Sequence, residues 1–199
     1  HDRRVSLWIH PGGNEFVFHR IRVRMLDGGT AESLRSIPIS TPSATTPSAI
    51  APFKEAEIKR IAALPAAEQI EEVRKELKKR NPEFDGTLTP TIENDVVTGL
   101  EFFTQHVTDI SPVRAFRHLT SLNCRGDGAT AGMVSNLAPL KGMQLTRLTL
   151  SVNPISDLTP LHGMPLTVLH VDNSDVADLS PLEGMPLKEL NCSYTKVAS

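Results

Sequence analysis

The sequence predicts an α+β protein dominated by a repeat solenoid, and three observations favour this class. Residues 145–165, LTRLTLSVNPISDLTPLHGMP, are followed without a gap by residues 166–186, LTVLHVDNSDVADLSPLEGMP, with ten of 21 aligned positions identical. Residues 27–50 are rich in Ser, Thr and Pro, which is typical of a linker. The stretch after this linker has helical spacing of its apolar residues. The chain therefore divides into residues 1–26, 27–50, 51–96 and 97–199.

The composition excludes several classes of protein. The chain has 199 residues, of which 39% are hydrophobic and 22% charged, with a net charge of −2. A chain this close to neutral is not expected to bind nucleic acid. No apolar run reaches the roughly 18 residues that a bilayer requires. With two cysteines, a disulfide scaffold or a four-cysteine zinc site is excluded. We expect no cofactor.

Both ends of the sequence suggest a piece of a longer protein. The chain begins at His1 without a methionine and stops at LKELNCSYTKVAS, within another copy of the repeat. The sequence therefore gives no compartment, because the parent protein could be membrane-anchored or cytoplasmic.

Residues 1–26 predict a β-hairpin that closes a larger sheet. Apolar residues alternate in VSLWI, PGGN can form a tight turn, and Ile21, Val23 and Met25 alternate with arginines in the second strand. Two strands are not stable alone, so the rest of the sheet would lie upstream. The text FHRIRVRML resembles the last strands of the concanavalin-like β-sandwich in the 3-keto-disaccharide hydrolase family. The arginines fit a solvated edge-strand face better than a phosphate site.

Residues 51–96 predict a cap made of helices and a hairpin. FKEAEIKRIAAL is followed by Pro65 and by a helix with Ile70, Val73 and Leu77 at helical spacing. The basic end of this helix, Lys78–Arg80, is interpreted as solvated and matched to the helix dipole. A hairpin then follows, with strands 87–92 and 96–102 and a turn at 93–95.

Residues 97–199 contain five units with the pattern LxxLxLxxxxIxDLxPLxGMP. LxxLxL is a short strand with its leucines on one face, and the later apolar residues turn back toward that face. One coil cannot enclose its own apolar side, so coils must stack. Asp109, Asp157 and Asp178 precede Ser/Thr-Pro and suit a capped turn or 3₁₀ segment on the outer side. The units begin at Val97, Leu119, Leu145, Leu166 and Leu187, and the second carries five extra residues after Cys124.

This pattern resembles the leucine-rich-repeat family, in the short bacterial variety. The asparagine position of the pattern is occupied by Asn153 in one copy but by Gln105, Ser174 and Thr195 in others, so a continuous asparagine ladder is not expected. The sequence from APFKEAEIKR through the repeats, residues 51–199, also resembles segments of large planctomycete-type bacterial proteins. The resemblance implies a protein–protein interaction module within a larger multidomain protein. The alternative is an accessory region of a serine/threonine kinase or sugar-hydrolase-like enzyme whose catalytic domain lies outside this chain.

The chemistry-bearing residues favour architecture over catalysis. Cys124 and Cys192 hold equivalent core positions three coils apart, about 14 Å, which is too far for a disulfide. The histidines lack metal-ligand spacing, so no metal site is predicted. Ser151, His170 and Asp172 are neighbours in the predicted sheet, but such coincidences are common on polar surfaces, and we expect no enzymatic activity in this region.

The candidate functional surface is the outward, concave face of the strands. Outward positions form three columns running across the coils, with mixed charge and few aromatic residues, as in a polar interface of modest affinity. A structural spacer is the other reading of these coils. The candidate partner-binding residues are Arg125, Arg147, Thr149, Ser151, Val168, His170, Asp172, Glu189, Asn191 and Ser193.

Overall fold

A computed structural model describes Leu7–Trp8 and residues 53–197. Two helices precede the coils, α1 (Glu55–Ala62) and α2 (Ala66–Arg80). A single sheet of seven strands follows the order β1-β7-β6-β5-β4-β3-β2. Its strands are β1 (Leu7–Trp8), β2 (Thr89–Glu93), β3 (Val96–Phe103), β4 (Ser121–Arg125), β5 (Arg147–Thr149), β6 (Val168–His170) and β7 (Glu189–Asn191).

Strands β3 to β7 are parallel neighbours, one from each coil. Leu100, Leu122, Leu148, Leu169 and Leu190 are in register across the five strands. The regular spacing of leucines along the chain therefore produces a ladder of stacked leucines, each at most 3% exposed. This arrangement confirms the predicted leucine-rich-repeat-like solenoid of α+β class.

The first four coils each return through a 3₁₀ helix on the side opposite the strands. These helices are Ser111–Ala115, Ala138–Leu140, Thr159–Leu161 and Ser180–Leu182. The predicted aspartates close the turn before three of them, since Oδ1 of Asp109, Asp157 and Asp178 accepts a backbone N–H two residues later at 2.8 Å. Asn136 does the same before the fourth, at 2.9 Å.

The glycine that follows the return is required by backbone geometry. Gly142, Gly163 and Gly184 have φ between 72° and 78°, and a Cβ at any of them would meet no atom within 4 Å. The left-handed conformation, rather than lack of space, therefore explains why the second, third and fourth copies carry Gly before Met. Met164 and Met185 are buried in the core, and Met143 packs against it.

A second ladder, made of threonine, runs along the start of the strands. The hydroxyls of Thr120, Thr146 and Thr167 each donate to the carbonyl of the preceding threonine, beginning at Thr98, over 3.0–3.2 Å. The backbone N–H groups of the same residues donate to the same carbonyls. The ladder ends at Lys188, which donates only its backbone N–H to Thr167.

The segment before the coils shares their core. Ile61, Ile70, Val73 and Leu77 from the helices belong to one continuous apolar cluster with the leucines of the coils. Both helices pack against the first 3₁₀ helix. The hairpin β2–β3 turns at Asn94 and Asp95, which have φ of 50° and 60°, as a two-residue type I′ turn requires. The observed strands start and end within two residues of the predicted bounds.

Lys78 and Lys79 are exposed, as the sequence suggested for the basic end of α2, but Arg80 is not. Arg80 is 7% exposed, its Nη1 donates to Oδ2 of Asp109 over 3.1 Å, and its guanidinium lies 5.0 Å from the centre of the Phe53 ring. Asn81, 3% exposed, accepts from the backbone N–H groups of Thr108 and Asp109. A buried polar joint therefore fixes the helix to the first coil, and the local charge pattern alone did not reveal it.

The N-terminal predictions fall largely outside the described residues. Leu7–Trp8 runs antiparallel to β7, with Leu7 opposite Leu190. The remainder of the hairpin predicted over residues 1–26, and the linker predicted over 27–50, lie outside the described residues.

Candidate functional site

The strand face is formed by the outward positions of β3 to β7. The strand register aligns Ser121, Arg147, Val168 and Glu189 in one column, as predicted. The second column contains Asn123, Thr149, His170 and Asn191. Side chains of one column are about 4.8 Å apart from coil to coil, so the strands position these groups as a regular array.

The ten candidate residues differ in how far they reach solvent. Arg125 and Arg147 are exposed. Partly buried positions are Thr149, Val168, His170, Asp172, Glu189 and Asn191. Ser151 and Ser193 are buried, at 9% and 7% exposure, so the expectation that they contribute open surface is wrong. They lie beyond the last residue of their strands, where the chain turns toward the core.

Buried serines connect the coils through hydrogen bonds. Ser151 Oγ donates to Oδ1 of Asp172 over 2.6 Å, and Asn191 Nδ2 donates to the same oxygen over 3.0 Å. Ser193 Oγ donates to Oδ1 of Asn191 over 2.8 Å. This series of hydrogen bonds links three coils and gives the Asp172 carboxylate partners from within the protein. The carboxylate therefore mainly holds the third, fourth and fifth coils in register.

The same geometry does not assemble a Ser/His/Asp site. A nucleophilic serine needs its hydroxyl against the base that removes its proton. The Ser151 hydroxyl instead donates to Asp172, and Nε2 of His170 lies 2.8 Å from Oε1 of Glu189. Cys124 is fully buried, and burial raises the pKa of its thiol to about 12. Neither group is prepared for nucleophilic chemistry.

Charge is distributed unevenly along the face. Arg125 and Arg147 lie on the second and third coils, whereas Asp172 and Glu189 lie on the fourth and fifth. Glu189 faces His170, and Nη2 of Arg125 lies 3.8 Å from Oε1 of Glu101. Within residues 53–197, Arg147 forms no ion pair. The face is thus basic on the second and third coils and acidic on the fourth and fifth, and the first coil contributes the acidic Glu101.

Asn153 holds three coils together at the edge of this face. Its Nδ2 donates to the carbonyls of Cys124 and Leu150, over 3.0 and 3.1 Å, and its Oδ1 accepts from the Thr104 hydroxyl and the Val134 N–H, over 2.9 and 3.1 Å. No continuous asparagine ladder forms. The hydroxyls of Ser174 and Thr195 reproduce only the bond to the carbonyl three residues before, over 2.6 and 2.7 Å.

Sequence reasoning missed two exposed apolar side chains beside the face. Phe103, at the end of β3, is 44% exposed, and Met133, in the insertion of the second coil, is 47% exposed. The signal available for Phe103 was its position in the alternation of LEFF, which places it with the outward residues of the strand. The signal available for Met133 was the irregular spacing of 26 residues between Leu119 and Leu145.

No group of three or more His, Cys, Asp or Glu side chains in the described part of the chain is arranged to hold a metal ion. Over the same residues, the two helices are too short and polar to cross a bilayer. The side chains of this surface can form hydrogen bonds, ion pairs and apolar contacts.

Comparison with known proteins finds similarity among solved structures. No family model matches the chain, and no curated protein matches it. Among the solved structures that match is an internalin (InlF) from Listeria monocytogenes, with 20% sequence identity and a TM-score of 0.44. The match covers 69% of this chain and 48% of the internalin, so the chain spans about half of the length of that protein.

Proposed function

We propose that residues 97–197 form a protein–protein interaction module that binds through the strand face, within a larger bacterial multidomain protein. The observation that carries the proposal is a rigid, regularly spaced face whose exposed positions do not repeat. Arg147, Val168 and Glu189 occupy equivalent sites in three coils that are otherwise nearly identical in backbone and core. Architecture therefore does not determine which residues stand there.

Internal hydrogen bonds favour binding by this face. The network through Ser151, Asp172 and Asn191 fixes the backbone and several side chains before any partner arrives. A preordered surface loses less conformational entropy on association. The charge separation between the second and fifth coils supplies orientation, because complementary charges select partner and register more than they add affinity.

The test uses a pair of charge-matched double variants. Arg147→Glu with Thr149→Glu alters the centre of the face, where neither side chain makes a hydrogen bond or ion pair within the described chain. Ala138→Glu with Lys141→Glu makes the same change in net charge on the opposite side, at two exposed positions. Both proteins are expected to melt within a few degrees of the unmodified chain. Substitutions at the exposed Arg147, Ala138 and Lys141 change stability by about 0.5 kcal/mol or less, and the half-buried Thr149 points outward from β5.

Binding is measured in two steps. Proteins from a bacterial extract that the unmodified chain retains are identified, and the affinity of each purified partner is then measured by biolayer interferometry. We expect the face variant to weaken binding at least tenfold, roughly 1.4 kcal/mol, and the control variant to bind normally. Equal binding by both variants would count against the strand face.

A further inference from the structure

The insertion in the second coil is held rigidly at its base. The N–H groups of Gly126 and Gly132 donate to the carbonyls of Ser151 and Val152, over 3.1 and 2.7 Å, and the Met133 N–H donates to the carbonyl of Thr104 over 2.8 Å. The insertion is thus tied to the first coil on one side and to the third coil on the other.

Glycine makes this close approach possible. A Cβ on Gly132 would lie 2.1 Å from the Thr104 hydroxyl and 2.2 Å from Oδ1 of Asn153, and both of these residues are buried. Asp127 orders the tip by accepting the N–H groups of Ala129 and Thr130, over 2.9 and 2.6 Å. The loop is a fixed part of the surface.

The base of the insertion adjoins an apolar and cationic patch. Because the Met133 N–H donates to the carbonyl of Thr104, the backbone of Met133 lies against the residue that follows Phe103. The Arg125 guanidinium lies 5.6 Å from the centre of the Phe103 ring, a distance at which the cation is attracted to the ring face. Phe103, Arg125 and Met133, here called the rim patch, therefore combine two exposed apolar side chains with an oriented cation.

The Arg125 guanidinium retains capacity for a further anion. Its separation of 3.8 Å from Glu101 is too long for a hydrogen bond, and both side chains are 46% exposed. Within residues 53–197 no hydrogen bond engages its N–H groups. A guanidinium held in one plane binds a carboxylate through two parallel N–H···O bonds.

We propose that the rim patch binds a peptide segment of a partner protein that carries a carboxylate beside an apolar side chain. The apolar side chain packs against Phe103 and Met133, and the carboxylate accepts from Arg125 in competition with Glu101. The inference rests on the proposed binding function and adds a contact at the ends of β3 and β4, beyond the two columns that contain Arg147 and Thr149. It gives the partner a chemical description that the mixed charges of the central face do not.

Strand addition at the free edge of the sheet is disfavoured. Pro90, the second residue of β2, pairs with Leu100 and has no N–H, so it cannot donate a hydrogen bond to a strand added at the free edge. An incoming strand would lose a bond there, which leaves the rim patch as the better docking surface.

The experiment selects a random 12-residue peptide library on phage against the full 199-residue chain. We expect enriched peptides to share Asp or Glu within two positions of an aromatic or aliphatic residue. A synthetic copy of the most enriched peptide should bind the Phe103→Ser, Arg125→Gln double variant at least tenfold more weakly. Glu101→Gln should bind it about two- to fivefold more tightly, because an exposed competing pair is worth about 0–1 kcal/mol.

The control separates the two proposals. If the peptides lose binding only with the Arg147→Glu, Thr149→Glu variant, the strand face binds partners and the rim patch does not. Absence of enrichment, enrichment without acidic residues, or normal binding by the rim variant would each overturn the inference. Sedimentation at micromolar concentration covers a second copy of the chain, whose exposed Ile92 and Glu93 could fill the patch. A dimer lost in both Ile92→Ser and the rim variant would also refute a peptide partner.

Discussion

Replacing Asn153 by alanine is the sharpest test of how the coils are joined. The substitution removes partners from the Val134 N–H, the Thr104 hydroxyl and the Cys124 carbonyl, all in fully buried residues. A buried polar group left without a partner costs about 1–3 kcal/mol, and a water molecule entering the space would recover part of that cost. We therefore expect Asn153→Ala to lower the free energy of unfolding by about 3–5 kcal/mol.

Two other variants separate the contacts between coils from the local one. Ser174 occupies the same site one coil later and donates only to the carbonyl of Val171. Ser174→Ala should therefore cost about 1 kcal/mol, the value of a single hydrogen bond. Asn153→Ser can restore that local bond to Leu150 but cannot reach both neighbouring coils, so it should remain within about 1 kcal/mol of Asn153→Ala.

Urea unfolding at 25 °C, followed by far-ultraviolet circular dichroism, measures all three variants. The slope with denaturant must match that of the unmodified chain, because a repeat array that unfolds in parts has no single free energy of unfolding. Recovery of most of the lost stability by Asn153→Ser would refute the reasoning. It would show that the bond to the carbonyl three residues before carries the effect and that the contacts across the coils do not.

Two further predictions concern the backbone and the turns. Val152 has φ of 59° at the site where later coils have Asn173 and Tyr194. Because a β-branched residue is strained in this conformation, Val152→Asn should raise the free energy of unfolding by about 1 kcal/mol and Asn173→Val should lower it. A lower urea midpoint for Val152→Asn would contradict this. Hydrogen bonds from Thr159 and Ser180 lower the pKa values of Asp157 and Asp178 below 3.8, so their stabilisation is present above that pH and lost as the pH falls through the lowered values. Unfolding from pH 5 to pH 2 should show a smaller loss for the Asp157→Asn, Asp178→Asn variant, whose amides still accept as Asn136 does; an unchanged pH profile would exclude these carboxylates.

The coil register was predictable because identical spacing leaves one way to stack the units. Leucines 21 residues apart can share a core only if successive strands are parallel and in register. The threonine ladder could also have been found, since Thr stands at the same position of four copies. What alternation could not give was the burial of Ser151 and Ser193. The rule that outward residues alternate applies within a strand, and both serines lie just past the strand end.

Charged residues were the least predictable from local sequence. Arg80 ends a run of three basic residues, a pattern that is usually solvated, but Asp109 and Phe53 bury it from 29 and 27 positions away. On the strand face, the surroundings of Arg125 were equally hidden from local sequence. Its relation to the Phe103 ring depends on pairing between neighbouring strands, and no single repeat contains that information.

The insertion in the second coil shows where architecture ends and function can begin. The third and fourth coils close in 21 residues and stack without any such loop, so the solenoid does not require it. Ordering a residue costs about 1–2 kcal/mol of backbone entropy, and the bonds made by Gly126, Gly132 and Met133 offset part of this cost for a loop that adds little to the core. The loop adds few buried residues to the core. It exposes Met133, whose backbone is hydrogen-bonded to the residue after Phe103, at the same end of the strands as Arg125. Its contribution must therefore be sought at its surface, where a partner would contact it.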